Sequence, residues 1–396
     1  MSLVDQKLKD AVIHLSDEIF EFSSWLTRHP EISGEEEKSC AFIVDFLQEH
    51  GYEIESPCGI PHSFKAKQKG IPRDLYPKAA VMCEYDALPG MGHGCGHSVS
   101  CGISILAALA LQEAYPELPM QIDLVGTPAE ETIGGKIIMV KQHVFDEYDL
   151  AIMSHLANDN SAQWPLLASN DMLITFYGKP AHASSNPWDG INAYNAAQLF
   201  SHGADMLRQH LTPDCQFHGI ITECGSVPNI VPDKAILDYY LRCATLSGLI
   251  DLREKLENCV KGAAVATGCT YTIEQRWDTY CELFPAREAS ADIHKIYEEL
   301  HMPYWPSQPP SGSSDLGNVD TVVPTIGMRC CCSDEFTPFH TPELEKLLYG
   351  DRGKKTLIDG TIVMAAYLAL LAYQPERLAA LQKEHSAYRA QNRRED

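Results

Sequence analysis

The densest grouping of reactive side chains in this 396-residue sequence is Met91-Gly92-His93-Gly94-Cys95-Gly96-His97. Thiolate and imidazole are standard ligands of zinc-like cations. Glycines on both sides let the backbone turn so that Cys95 and His97 reach one point. The same residues also read as a Gly-rich turn whose His caps the following helix. A second grouping, Pro128-Ala129-Glu130-Glu131-Thr132, sets two carboxylates side by side after an apolar stretch. In a dry site they repel, unless one binds a cation and the other serves as a base on water. The competing reading is an exposed acidic turn. His155 follows the apolar run Leu150–Met153, and His340 sits in Thr337-Pro338-Phe339-His340-Thr341-Pro342. Taken singly, each His reads as structural. Jointly, the candidate ligands fall at the ends of predicted strands or in adjoining loops, where α/β proteins place their sites.

Those loops need a scaffold. Residues 5–50 are predicted helical, with apolar residues at Leu8, Val12, Leu15, Ile19 and Phe22, and again at Cys40, Ile43, Phe46 and Leu47. His29 to Gly34 separates the two helices. A strand at Ala79–Cys83, a Gly-rich turn from Pro89 to Gly96, a buried helix at Val99–Ala114 and a strand at Ile122–Val125 follow. Apolar strands separated by helices predict a three-layer α/β/α domain with a mainly parallel sheet. Near residue 170 the pattern changes. Leu173–Tyr177 alternates as a strand, Asp189–Gln209 is helical, and Phe217–Glu223 and Ala235–Arg242 are strands. Leu249–Thr267 is a helix and Thr270–Glu274 a strand. This order is ferredoxin-like α+β. The expected division is therefore 1–169 and 281–396 for one domain, with 170–280 inserted as a second. In the last part, Met302–Ser314 reads as a loop, Val322–Arg329 as a strand, Lys355–Ala372 as a long apolar helix and the tail after Glu376 as an exposed helix.

Composition narrows the partners. Lys and Arg number 31 against 54 Asp and Glu, a net charge of −23. So acidic a chain is a poor nucleic-acid binder and is repelled by anionic membranes. No stretch approaches the ~20 uncharged apolar residues of a membrane span, and Met1 to Asp10 has no signal-peptide core, so a cytoplasmic location is expected. The 14 cysteines are scattered and contain no Cys-x-x-Cys pair, which predicts reduced thiols, most of them small buried hydrophobes.

Several motifs together resemble peptidase family M-twenty, the aminoacylase and carboxypeptidase G group. They are Glu84-Tyr85-Asp86-Ala87-Leu88-Pro89, Gly92 to His97, Pro128-Ala129-Glu130-Glu131 and Gly178-Lys179-Pro180-Ala181-His182-Ala183. Pro228-Asn229-Ile230-Val231-Pro232, Tyr240-Leu241-Arg242 and Ser313-Ser314-Asp315-Leu316-Gly317-Asn318-Val319 also match. The branch it is most similar to is that of amidohydrolases such as p-aminobenzoyl-glutamate hydrolase and the β-alanyl-lysine dipeptidase-like protein. The resemblance covers nearly the whole chain, with the motifs in the family's order. It implies a catalytic domain with an inserted lid that dimerises, and two divalent metal ions held by Cys95, His97, Glu131, His155 and His340. Glu130 then matches the catalytic carboxylate, and Asp86 the buried acid that orients the ligands. His182 matches a residue that crosses a dimer interface to polarise the scissile carbonyl. Asn229 and Arg242 match the substrate's carboxylate grip. The chain departs from the family at Ser98, where Asp or Asn is common, and lacks the usual second His of that helix. These departures bear on fine hydrogen bonding and substrate preference.

The implied chemistry suits the residues. Paired divalent ions polarise a carbonyl and activate water. Glu130 would take the water's proton and pass it to the leaving amine, and Arg242 offers a bidentate fork for a carboxylate. Arg242 also reads as one half of a salt bridge within the inserted domain. The expected activity is hydrolysis of the amide bond of a small N-acyl or N-aroyl amino acid or dipeptide by a homodimer. Zinc is the first choice of metal, with manganese, cobalt or nickel as alternatives. A competing reading keeps the site but deaminates an arylamine. A third is a metal-bound scaffold without catalysis, which the presence of Glu130 disfavours.

Overall fold

A computed structural model describes residues 3–69, 75–306, 310 and 312–392. Part of the loop Met302–Ser314, namely 307–309 and 311, lies outside them. The chain divides into two compact units, Met1–Pro165 with Leu283–Gln391, and Leu166–Glu282. It runs through α1 (Gln6–Arg28), α2 (Glu37–Glu49), β1 (Tyr52–Glu55), β2 (Phe64–Gln68), β3 (Lys78–Cys83), α3 (His97–Ala114), β4 (Gln121–Gly126), α4 (Gly135–Lys141) and β5 (Leu150–Ala157). The second unit adds β6 (Ala168–Tyr177), α5 (Ala193–Leu207), β7 (Cys215–Cys224), β8 (Lys234–Cys243), α6 (Leu246–Thr267) and β9 (Thr270–Glu274). The first unit resumes with α7 (Arg287–Glu299), α8 (Leu316–Val319), β10 (Thr325–Cys331), α9 (Pro342–Leu347), α10 (Asp351–Tyr373) and α11 (Pro375–Asn392).

The first unit holds a six-stranded sheet in the order β1-β2-β4-β3-β5-β10. Strands β4, β3, β5 and β10 are mutually parallel, as apolar strands separated by helices require. Val81 in β3 pairs with Leu124 on one side and Ile152 on the other. α3 is buried along almost its whole length because α1 and α10 cover it on one side and β3 and β5 on the other. This accounts for its all-round apolar sequence. α10 is long and apolar enough to cross a membrane by composition, with mean hydropathy 1.6 over 18 residues. That window is 83% buried inside the protein, so its apolar surface is spent on the core.

Several elements differ from the sequence-based expectation. β1 and β2 form an antiparallel edge pair, so the sheet is mixed. Lys65 and Lys67 interrupt the apolar character of β2, yet Lys65 is buried and pairs with Glu147 at 2.7 Å. β5 continues through Ser154 and His155 to Ala157, past the apolar run that marks it in the sequence. β10 starts at Thr325 because Pro324, which lacks an N–H, precedes it. α11 is not wholly exposed. It buries Leu378, Leu381 and His385, and His385 Nε2 lies 2.6 Å from the Asp320 carbonyl.

The second unit is an antiparallel sheet in the order β7-β8-β6-β9, with α5 and α6 packed on it. The apolar residues of α5 and α6 share one core with β6 and β8, including Phe176, Phe200, Leu237 and Leu256. Strand order and helix placement are ferredoxin-like. Cys215 and Cys243 are cross-strand partners in β7 and β8 and are bonded, an exception to the expectation of reduced thiols.

Candidate metal centre

The candidate ligands are delivered by the carboxyl ends of the parallel strands and the loops beyond them. β3 is followed at once by Glu84 and Asp86, and the next loop carries Cys95 to the start of α3 at His97. Gly96 has φ +91°, and a Cβ there would meet the Leu156 side chain at 2.7 Å. Only glycine lets the chain turn there between Cys95 and His97. β4 leads through Thr127 to Ala129, which sits in the left-handed region at φ 64°. The Ala129 N–H donates to the buried Glu36 carboxylate at 2.8 Å, which pins the bend that presents Glu130 and Glu131. His155 lies within β5, a buried strand residue, although the sequence places it after the strand. The His340 loop is fixed by its N–H donating to the Gly94 carbonyl at 2.9 Å.

These residues converge. Cys95 Sγ lies 3.3 Å from His155 Nε2. Ligand atoms of Cys95, His97 and His155 all lie within 4.8 Å of one another, as do those of Cys95, Glu131 and His340. Cys95 belongs to both sets, and all five of these residues could hold divalent ions. His97 Nδ1 is 2.9 Å from Asp86 Oδ1, and the other Asp86 oxygen accepts the Glu131 N–H at 3.0 Å. His155 Nδ1 donates to the Leu156 carbonyl at 2.7 Å, leaving Nε2 as the lone-pair nitrogen. His340 Nε2 is 3.6 Å from Glu131 Oε1.

The charges within the cluster act strongly on one another. Burial pushes the Cys95 thiol up. At His97 burial opposes the charged ring, but the Cys95 sulfur and the Asp86 and Glu84 carboxylates outweigh it and raise the imidazole well above its ordinary value. Burial works to raise Asp86, and His97 more than offsets it, bringing the carboxyl down to about 2. Burial, with His97 nearby, brings His155 down to about 4. Glu130 is only partly covered and faces the cavity. Desolvation, then the Asp315 and Glu84 carboxylates, raise it well above the usual carboxylate range against the pull of Lys136.

A cavity of about 320 Å³ opens over the cluster, lined among others by Glu130, Glu131, Trp164, Arg329 and Phe339. Behind it lies a group with no role assigned from sequence. Lys136 Nζ donates to Glu84 Oε1 and, at 2.7 Å, to Asp315 Oδ1, all three fully enclosed. The available signal is the lone charge of Lys136 in the apolar run Gly135–Val140. Arg329, Trp164 and Phe339 carry no such signal, since only the fold brings them to the cavity.

The other sequence candidates belong to the second unit. His182 and Asn229 lie in adjoining loops, joined by the Ala183 N–H donating to the Asn229 carbonyl at 2.9 Å. Arg242 is near the far end of β8, eight residues beyond its start at Lys234, or roughly 26 Å at ~3.3 Å per residue. The loop that carries Asn229 precedes the Lys234 end of β8, and Arg242 lies towards the other end.

The residues fit divalent ions. His97 Nε2 and Glu131 Oε1 are buried without a hydrogen-bond partner, a cost that a bound cation removes. Sulfur and nitrogen ligands on one tetrahedral ion stand roughly 3.5 Å apart, close to the Cys95–His155 separation. The sequence matches the model of Peptidase family M20/M25/M40 over residues 80–369. It is 33% identical to the Xaa-Arg dipeptidase of Mus musculus, covering 82% of this chain and 79% of that protein. It is 28% identical to one chain of the p-aminobenzoyl-glutamate hydrolase of Escherichia coli, covering 71% and 62%. A dinuclear metal binding peptidase of Bacillus subtilis superposes with a TM-score of 0.71 at 18% identity, over 91% of this chain and 99% of that one. By motif order, fold and sequence match, the chain belongs to peptidase family M20/M25/M40.

Proposed function

We propose that the protein hydrolyses the amide bond of a small N-acyl amino acid or dipeptide at a centre of two divalent ions, zinc before manganese, cobalt or nickel. The observation that carries this reading is the buried Nε2 of His97, which has no hydrogen bond and only Glu84 Oε2 at 3.5 Å, on a ring held by Asp86 among Cys95, His155 and the paired glutamates. In this reading Cys95, His97, Glu131, His155 and His340 hold the ions. Ions bound there supply Lewis acidity at the scissile carbonyl and acidify water. Glu130, whose carboxyl is raised by burial and by the neighbouring Asp315 and Glu84 carboxylates, takes the proton from water and gives it to the departing amine. Relatives described as a dipeptidase and as an aminobenzoyl-glutamate hydrolase support amide hydrolysis and offer nothing for arylamine deamination.

We place the α-carboxylate of the substrate on Asn229 and Arg242. Their placement towards opposite ends of β8 supports a grip that takes one residue from each of two chains. A homodimer through the second unit meets that need. Its sheet leaves Ile220 and Tyr240 exposed on the face away from α5 and α6, which pairing of two chains would cover.

The test is an amine-release assay on N-acyl amino acids and dipeptides, with elemental analysis of the protein. About two divalent ions per chain, and free amino acid released only when they are present, are expected. Ammonia as the product would favour deamination. Cys95→Ala that keeps its full metal content would remove Cys95 from the ligand set.

A further inference from the structure

We propose that Arg329 forms a subsite for a carboxylate on the acyl portion of the substrate, so that acyl groups ending in a negative charge are preferred. The inference rests on the amide-hydrolase reading above. Arg329 stands in β10 in register with His155 of β5, and paired residues of parallel strands present their side chains to the same face. Both line the cavity that contains Cys95, Glu130 and Glu131. Among the described lining residues Arg329 is the one Arg or Lys. Its backbone is clamped in both directions, donating to the Ser161 carbonyl at 2.9 Å and accepting from the Ser161 N–H at 3.1 Å. Asp159 Oδ2 steadies the guanidinium at 3.3 Å, and the side chain is 16% exposed.

A guanidinium lining the cavity offers a fixed positive charge to a bound anion. The guanidinium carries five donors in a planar fork, a geometry that matches a carboxylate. The walls beside it are apolar. Trp164 and Phe339 stand 4.9 and 6.1 Å from the His155 ring and line the same cavity. A short carbon chain or ring ending in a carboxylate matches such a wall with a cation at one side. The volume suits a small acyl group. The α-carboxylate has its own candidate partners in Asn229 and Arg242.

The experiment compares the metal-loaded protein with Arg329→Met and Arg329→Lys on N-succinyl and N-succinamoyl derivatives of one amino acid. These differ only in a terminal carboxylate or carboxamide. A third substrate, the succinamoyl derivative of the corresponding amino acid amide, lacks the α-carboxylate. The unaltered protein is expected to prefer the succinyl substrate. In Arg329→Met the succinyl-to-succinamoyl ratio of kcat/KM should fall about 10- to 100-fold, as for loss of a hydrogen bond to a charged group, mainly through KM. Arg329→Lys should fall between, with metal content unchanged in both variants. A ratio unchanged in Arg329→Met would overturn the inference. So would a loss confined to the α-carboxylate comparison, or an equal loss on all substrates accompanied by loss of metal. If the unaltered, metal-loaded protein hydrolysed none of them, the amide-hydrolase reading would fall, and this inference with it.

Discussion

Asp86 holds His97 by Nδ1 at 2.9 Å, and the ring's other nitrogen is buried with no hydrogen-bond partner. A carboxylate in that position fixes the tautomer and makes Nε2 a better donor to a metal. Asp86→Asn preserves the shape but removes the charge. Metal affinity, read by competition with a chelator, should fall about 10- to 100-fold. An affinity equal to that of the unaltered protein would leave Asp86 as a purely structural acid.

Adjacent carboxylates are assigned different tasks. Glu130→Gln should retain fold and metal while turnover drops ~10²–10⁴-fold, the scale of a positioned acid–base group. Glu131→Gln should first lower metal content, since its oxygens lie with Cys95 and His340. Elemental analysis and kcat measured on both variants decide the matter. Equal behaviour in both assays would erase the division.

Metal uptake should depend on pH. Without an ion, the Cys95 thiol is pushed up by burial, and His97 is held up by the Cys95 sulfur and the Asp86 and Glu84 carboxylates despite its burial. A metal must displace the thiol proton and any proton on His97 Nε2. Binding should release protons, and affinity should rise with pH. Calorimetry in buffers of different ionisation enthalpy counts them. An affinity that stayed constant between about pH 6 and about pH 8 would contradict this ordering of charges.

The parallel strands and the ferredoxin-like order were legible because buried strands and amphipathic helices write their periodicity into the chain. β1 and β2 were not, since Lys65 is buried by an ion pair that no local pattern reveals. In the candidate site, Cys95, His97, Glu130 and Glu131 stood out by residue type next to glycine or strand ends. His155 and His340 were visible only as members of a set. Lys136, Asp315 and Arg329 depend on contacts between residues far apart in sequence, which spacing does not encode.

Lys136 sits between two enclosed carboxylates. Removing one member of a buried ionic group leaves its partners uncompensated, at a cost of about 3–5 kcal/mol. Lys136→Met should lower the denaturation midpoint of the first unit accordingly, while Lys136→Arg should recover part of the loss. A Lys136→Met protein as stable as the parent would mean that Glu84 and Asp315 do not depend on this ammonium group.

His182 is exposed in the second unit, and its Nδ1 accepts the backbone N–H groups of Ser184 and Ser185 at 3.3 and 3.2 Å. Those bonds set the tautomer, so the proton resides on Nε2 and the ring presents an N–H donor. They also show that His182 shapes its own loop, which by itself would explain a structural role. A donor aimed at the oxygen of a scissile carbonyl is worth roughly 2.7–4 kcal/mol in the transition state. Complementation separates the two roles. An inactive His182→Ala chain is mixed with an inactive Glu130→Gln chain under conditions that allow the chains to exchange partners. If His182 serves the partner's site, one site in each mixed dimer has both residues intact, and part of the activity should return. Exchange demonstrated by mass, with no return of activity, would confine His182 to its own chain.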